Sequence, residues 1–312
     1  MGENTCIACQ SSGLAIWFTQ LSKADGREYT LRRCGSCGSA FVVPRPTAEY
    51  LAEYYTGSDS SHAIAVDITN GTSSYEKVLS DEAAFPNSSV DSERIALTCT
   101  EMSRGRRFLD IGSGYGFFSR SAMKHGFEVT AVEPTEICRK IFKLMNGFEP
   151  IPGMLSDEFT QGHTGRFDVI LMSQVLEHIP DLDNNLKSLS TLLAANGVIV
   201  IAVPHFGSWL SRAQGRNDMF IVPPEHLNFF SRAGLIALFQ RHGFKCRKLH
   251  TVSRINVKRV ARRIPIPVVG TTVAKSILAA MRLSDHAGGG MFLNAYFSRE
   301  NSPAGGPGPG GE

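Results

Sequence analysis

Two matched cysteine pairs open the chain, Cys6-x-x-Cys9 and Cys34-x-x-Cys37. Each pair presents two sulfurs from a tight turn, and Gly35 and Gly38 free the backbone around the second turn. Four thiolates on two facing turns make a closed tetrahedral set that suits zinc. A redox-active pair is the lesser rival, because two such pairs in one short segment fit a metal better. With no open coordination position, the zinc would be structural. A second chemistry-bearing group is the adjacent acid and imidazole Glu225-His226, inside "IVPPEHLNFFS" at 221–231. Histidine, with an ordinary pKa of about 6.5, can take a proton near neutrality, and a neighbouring carboxylate raises its basicity. Adjacent side chains on an extended segment point apart, so the sequence leaves open whether Glu225 orients His226. Glu177-His178, in "LEHIPD", repeats the pairing, with a loop-building and a substrate-facing role both open for His178.

The third group is a glycine loop with two acids. "RRFLDIGSGYGFFSR" holds Asp110, Gly112, Gly114 and Gly116, and the stretch "VTAVEP" ends on Glu133 and Pro134. Glycines permit a tight turn and let a ligand approach the backbone. A dinucleotide fingerprint would read Gly-x-Gly-x-x-Gly. Here the third glycine comes one residue early and Phe117 takes its place. Asp110, just ahead of the loop, would repel a pyrophosphate but suits an amino group and a sulfonium. Glu133 can accept two hydrogen bonds from ribose hydroxyls, which by itself does not separate the two kinds of cofactor.

These residues need elements to hold them. Apolar runs predict strands at 106–111, 128–133, 166–172 and 197–203, with later strands near 244–252 and 291–299. Helices are expected at 117–125, 135–146, 182–194 and 232–242, and further ones at 47–58, 88–103 and 272–282. Short strands alternating with such helices define an α/β fold, a parallel sheet wrapped on both faces. The division predicted is a zinc-binding module at 1–45, a helical linker and substrate lid at 46–103 with a mobile loop at 59–74, the sheet domain at 104–300 and a Gly/Pro-rich disordered tail at 301–312. A loop of this length after the strand at 197–203 is the kind that forms a lid or binding loop. It leaves the carboxyl end of the sheet, which aims Glu225-His226 at the ligand side. Cys99, Cys138 and Cys246 read as buried fillers.

The 312 residues carry a net charge of only +3, which argues against nucleic acid as the main partner. No apolar run reaches the length of a membrane span, and "MGENTCIACQ" lacks a secretory layout, so a cytoplasmic location is expected. Thiols stay reduced there, which favours metal over disulfides. The stretch 254–284 holds seven basic residues and no acid. It reads as a solvated insertion, with a sharper alternative in which Arg259, Arg262 and Arg263 dock a diphosphate or give peripheral contact with an anionic membrane.

"LDIGSGYG", "VTAVEP", "FDVILMSQVLEHIPD" and "LLAANGVIVIAVP" occur in an order and at intervals that resemble the class I S-adenosylmethionine-dependent methyltransferases, over about Arg106 to Val252. The resemblance implies a Rossmann-like, seven-stranded methyltransferase sheet beside a small zinc-ribbon-like module. It implies that Gly112, Gly114 and Gly116 lie under the methionine part of S-adenosylmethionine, with Asp110 toward its amino group. Glu133, with Pro134, would take the ribose, Met154 and Leu155 would lie by the adenine, and Ser173 and Gln174 by the methionine end. The four cysteines, "VPRPTAEYLAEYY" and the late Glu-His together resemble sugar C-methyltransferases acting on nucleotide-linked ketosugars. That likeness implies His226 of Glu225-His226 as base, and a tyrosine from the N-terminal part, Tyr75 first and Tyr55 second, reaching the substrate. Those enzymes carry a further large C-terminal domain for which this chain is too short. The expected acceptor is a small carbohydrate-like or natural-product molecule, nucleotide-linked forms included. The alternatives are an O-methyltransferase with the same base, an RNA methyltransferase gripping RNA with the module, and a non-catalytic zinc-ribbon binding protein. The sequence assigns no oligomeric state.

Overall fold

The computed structural model describes residues 5–22, 25–47, 49–51, 71–254 and 267–302. Tyr55, residues 52–70 of the linker and lid predicted at 46–103, Arg259, Arg262, Arg263 and the end of the tail lie outside them. In chain order, strands β1 (Leu14–Leu21), β2 (Glu28–Cys34) and β3 (Ala40–Val43) precede helices α1 (Gly71–Ala84) and α2 (Ser88–Met102). Then follow β4 (Arg107–Ile111), α3 (Phe117–Lys124), β5 (Glu128–Glu133), α4 (Glu136–Asn146), β6 (Ile151–Pro152), α5 (Asp157–Gly162) and β7 (Phe167–Ser173). The remainder is α6 (Leu182–Leu192), β8 (Leu193–Pro204), α7 (Trp209–Gln214), β9 (Asn228–Phe229), α8 (Arg232–Arg241), β10 (Phe244–Val252), α9 (Pro267–His286) and β11 (Phe292–Arg299).

Seven strands form one sheet in the order β10-β11-β8-β7-β4-β5-β6. From β6 to β8 the neighbours are parallel, whereas β11 runs antiparallel between β8 and β10. The central strands are apolar on both faces, as strands covered by helices on both sides must be. Their alternation sorts residues between two cores. Leu109, Ile111, Ile170, Met172, Ile199 and Ile201 face one side with α6 and α8, while Phe108, Val169, Leu171, Val198 and Val200 face the other with Ile95 and Ala122. Chain order reverses between β4 and β7, and a cleft opens at the carboxyl ends of strands at such a point. The expected strands and sheet are therefore observed, with β8 starting earlier because α6 stops at Leu192.

Three features depart from the sequence reading. The loop expected at 59–74 gives way at Gly71 to helix α1. The helix is explained by Tyr75 and Val78, three residues apart, which pack on Ile137, Cys138 and Ile141 of α4. The long loop after β8 contains the short helix α7, and β9 closes it. Cys99 and Cys138 are buried as expected, but Cys246, on the sheet-edge strand β10, is only half-buried.

The N-terminal module is not self-contained. Its antiparallel sheet β1-β2-β3 takes β9 as a fourth strand, with Ala40 opposite Phe229 and Phe41 opposite Asn228. Phe41 and Phe230 meet edge to face, with ring centroids 6.4 Å apart, in a core that also holds Cys6, Cys34 and Cys37. Each such fully buried Phe contributes about 2–3 kcal/mol by the area removed from water. Ser231, the N-cap of α8, donates through its hydroxyl to the Cys37 carbonyl, and its N–H donates to Ser39 Oγ (3.0 Å). The cap that starts α8 is thus fastened to the second cysteine turn.

Candidate active site

The four module sulfurs converge. Cys6 Sγ lies 3.6 Å from Cys37 Sγ, and Cys9 Sγ lies 3.7 Å from Cys34 Sγ. Thiolates about 2.3 Å from one tetrahedral ion sit about 3.8 Å apart, so the spacing fits a four-sulfur metal site. The Cys6 thiol beside it holds Cys37 down to about 5, while the same hydrogen bond and burial push Cys6 up. The Cys37 N–H points at Cys34 Sγ (3.5 Å), as an amide stabilising a thiolate does. This donor set is closed, and none of its four cysteines lines the cavity described next.

A cavity of about 580 Å³ opens at the carboxyl ends of β4, β5 and β7. Gly112, Gly114 and Gly116 form its floor, all in the left-handed region. A Cβ on Gly116 would fall 2.1 Å from Asn146 Nδ2 and 2.6 Å from the Phe142 ring, so only glycine closes the turn onto α4. At Gly114 (φ +52°) a Cβ would meet nothing within 4 Å, which leaves the backbone open to a close ligand. Glu133, 5% exposed, accepts the Gly114 N–H on Oε2 and the Thr135 N–H on Oε1, both at 2.8 Å. A carboxylate oxygen has a second lone pair, so both can still accept a hydroxyl proton. Pro134, Met154, Leu155, Ser173 and Gln174 line the same wall. Gln174 holds φ +57° while its N–H and Nε2 donate to the Ala202 carbonyl (2.7 and 3.1 Å), a strained backbone costing roughly 1 kcal/mol or more.

Asp110 sits beneath this floor and is not on the cavity wall. It accepts from Ser119 Oγ at 2.6 Å; burial, with the Glu133 charge adding to it, pushes the carboxyl up to about 7. Its geometry ties the loop to α3, so the expected contact with a ligand amino group is not one that this structure places.

The same cavity is lined by His178, Glu225 and His226. The imidazoles meet edge to face with centroids 4.8 Å apart. His178 Nδ1 lies 2.7 Å from the Glu225 carbonyl and His226 Nδ1 lies 2.8 Å from the Phe220 carbonyl. A carbonyl only accepts, so both Nδ1 atoms carry hydrogen and each neutral ring presents Nε2 as its basic atom. Glu225 thus orients His178 through its main chain. The rings also lie beside Glu177, with one donor atom from each of the three within 4.8 Å of one another.

Glu177 is 1% exposed, and neither carboxyl oxygen has a hydrogen-bond partner among the described residues. Burial, with the Glu225 charge adding to it, pushes the group from its ordinary 4.5 up to about 8. The folded chain therefore holds more protons than the unfolded chain between those values, and stability falls as pH rises through that window. Glu177→Gln removes the titration. The expected result is a melting temperature at about pH 8.5 higher by roughly 2–4 °C, some 1 kcal/mol or more, and no gain at about pH 4. Differential scanning calorimetry at both pH values checks it; an equal change at both would contradict the buried acid.

Tyr75 is not brought to the cavity. It packs with Val78 and Ile137 behind the glycine loop. The tyrosine on the wall is Tyr115, from the loop itself, with burial pushing its phenol up to about 12. Its position inside "GSGYG" was the available signal. Arg254 also lines the cavity, ion-paired with the buried Asp91 and 4.5 Å over the Phe292 ring. The first member of the basic 254–284 stretch is therefore turned inward. Among the described residues no helix is long and apolar enough to cross a membrane.

A sheet of this order, with a glycine floor beside an acid from the next strand, is the arrangement of a methyltransferase domain. A family model described as a methyltransferase domain matches residues 82–249, just over half of the chain, and the chain belongs to the class I S-adenosylmethionine-dependent methyltransferases. The chain is 29% identical over 165 residues to C-methyltransferase NovU of Streptomyces niveus, spanning 51% of this chain and 36% of that protein. It is likewise 29% identical over 154 residues to the ubiquinone biosynthesis O-methyltransferase of Histophilus somni (strain 2336), spanning 42% of this chain and 65% of that protein. The chain thus covers less than two thirds of either relative. Among solved structures, a SAM-dependent methyltransferase from Archaeoglobus fulgidus superposes with a TM-score of 0.48 at 19% identity, covering 70% of this chain and 98% of that one.

Proposed function

We propose that the protein transfers a methyl group from S-adenosylmethionine to a small carbohydrate-like or natural-product acceptor, C-methylation of a nucleotide-linked ketosugar being favoured. The observation that carries this reading is one cavity lined both by the glycine floor with Glu133 and by the two imidazoles. The donor supplies a methyl group already activated on a sulfonium. Glu133 holds the ribose, the glycine floor lies under the methionine part, and the enclosure aligns the acceptor, which is the main source of rate for such a displacement. His226 Nε2 takes the proton from a carbon beside a ketone, or from a hydroxyl. The new bond to the methyl carbon forms as its bond to sulfur breaks, and the donor leaves as a neutral thioether. The relatives' names include carbon and oxygen acceptors, so O-methylation by the same base is the second reading. The module's sulfurs are assigned to a structural zinc ion that stiffens the N-terminal sheet. A net charge of +3 gives no support to the RNA reading.

Isothermal titration with S-adenosylmethionine tests the cofactor end. Glu133→Ala is expected to raise the dissociation constant by about 10- to 100-fold, since it removes hydrogen bonds to a charged acceptor. An unchanged constant would place the ribose elsewhere.

A further inference from the structure

Neither Arg45 nor Asn228 lines the cavity, yet together they join the segment that carries His178 to the one that follows His226. Arg45 leaves the module directly after β3. Its Nε donates to the Pro180 carbonyl (2.6 Å), and its Nη2 donates to the Ile179 carbonyl (2.8 Å) and to Asn228 Oδ1 (2.7 Å). Asn228 Nδ2 in turn donates to the carbonyls of Leu176 (2.9 Å), Glu177 (3.4 Å) and Ile179 (2.9 Å). The main chain completes the ring. Leu227 N–H donates to the Glu177 carbonyl (2.8 Å), Val42 N–H donates to the Leu227 carbonyl (3.0 Å), and Asn228 sits in β9 opposite Phe41. The segment 176–180 carries His178, and the residues just before Leu227 are Glu225 and His226.

A guanidinium used this way is an expensive choice. Its partners among the described residues are carbonyls and a carboxamide, its Nη1 is buried with no hydrogen-bond partner among them, and burial holds the group down to about 10. A planar fork fixes the mutual position of its acceptors in a way that an apolar filler cannot. We propose that Arg45 is a positioning residue for methyl transfer, which through Asn228 clamps the two histidine-bearing segments to the cysteine module. This rests on the reading of His178 and His226 as the acceptor end of the site. The clamp sets the distance from the His178 ring to the Glu225 carbonyl, and so sets which tautomer His178 holds.

The test uses the full-length, metal-loaded chain with S-adenosylhomocysteine as probe. Long-range 15N–1H spectra of the imidazoles, with His178 and His226 assigned by substitution, should show both in the Nδ1–H form. In Arg45→Met the His178 ring is expected to give an averaged tautomer, while affinity for the probe, measured by calorimetry, changes less than about twofold. Arg45→Lys, which keeps a charge without the fork, should restore part of the signature. Asn228→Asp keeps an acceptor for Arg45, and so keeps the fold, but loses the donor to the 176–179 carbonyls; it should shift the His178 signals most. Unchanged imidazole signals in Arg45→Met overturn the proposal, and if that variant does not fold, unchanged His178 signals in Asn228→Asp do so. Wild-type protein that fails to bind the probe would instead overturn the reading of the cofactor end.

Discussion

His226→Asn is expected to lower methyl transfer by about 10²- to 10⁴-fold, the range for removing a positioned general base, or roughly 3–5 kcal/mol of barrier. S-adenosylmethionine affinity should stay within about twofold of wild type, because Glu133 is held by the Gly114 and Thr135 N–H groups without help from the imidazole. Asparagine keeps a donor that can reach the Phe220 carbonyl and lacks a basic nitrogen, so it separates proton transfer from loop geometry. The measurement is single-turnover transfer of labelled methyl across a panel of ketosugar and hydroxylated acceptors, beside calorimetry of the donor. Equal loss of turnover and donor affinity would show that the histidine supports the cavity and is not the base. Retained turnover would pass the role to His178.

Cys34→Ser should have the larger effect on folding. Apparent binding free energies of four-ligand zinc sites in small domains run to about 10–16 kcal/mol, and that energy is folding energy where the site forms with the domain. Here the sulfurs lie in the core shared with Phe41 and Phe230. The variant should fall from about one zinc per chain to nearly none by mass spectrometry, and its thermal transition should broaden and move down by well over roughly 4 °C. The loss should extend past the module, since Cys37 accepts from the cap of α8 and β9 hangs on β3. Hydrogen exchange should therefore rise in residues 225–235 as well as 5–43. A fully loaded, normally folded variant would contradict a four-thiolate site.

Much of the sheet domain was legible because period-two alternation and glycine turns are local signals. Phe108 against Leu109 and Val169 against Ile170 announce opposite faces before any contact is known. The cavity floor was legible for the same reason, and so were Glu133 and the Glu225-His226 pair. What escaped depended on distant partners. Helix α1 follows a polar stretch and is fixed by α4, far along the chain. Strand β9 is two residues long, and nothing near Asn228 indicates that it pairs with β3. Tyr75 was the first choice for the substrate tyrosine, and its packing on α4 turns it behind the loop; Asp110 looked exposed to ligand until Ser119 covered it. Glu177 reads as an ordinary loop acid; only the chain folded over it makes it a buried one.

Because β9 belongs to the N-terminal sheet, the point where the polypeptide could be cut is not where its composition changes. A fragment starting after residue 45 would keep every residue matched by the family model, yet it would present a bare backbone margin at 227–229 and an unanchored start to α8. The first segment therefore behaves less as an appended module than as half of a hinge-plate whose other half is the flap. Grafting it onto another catalytic core would need the matching flap to travel with it.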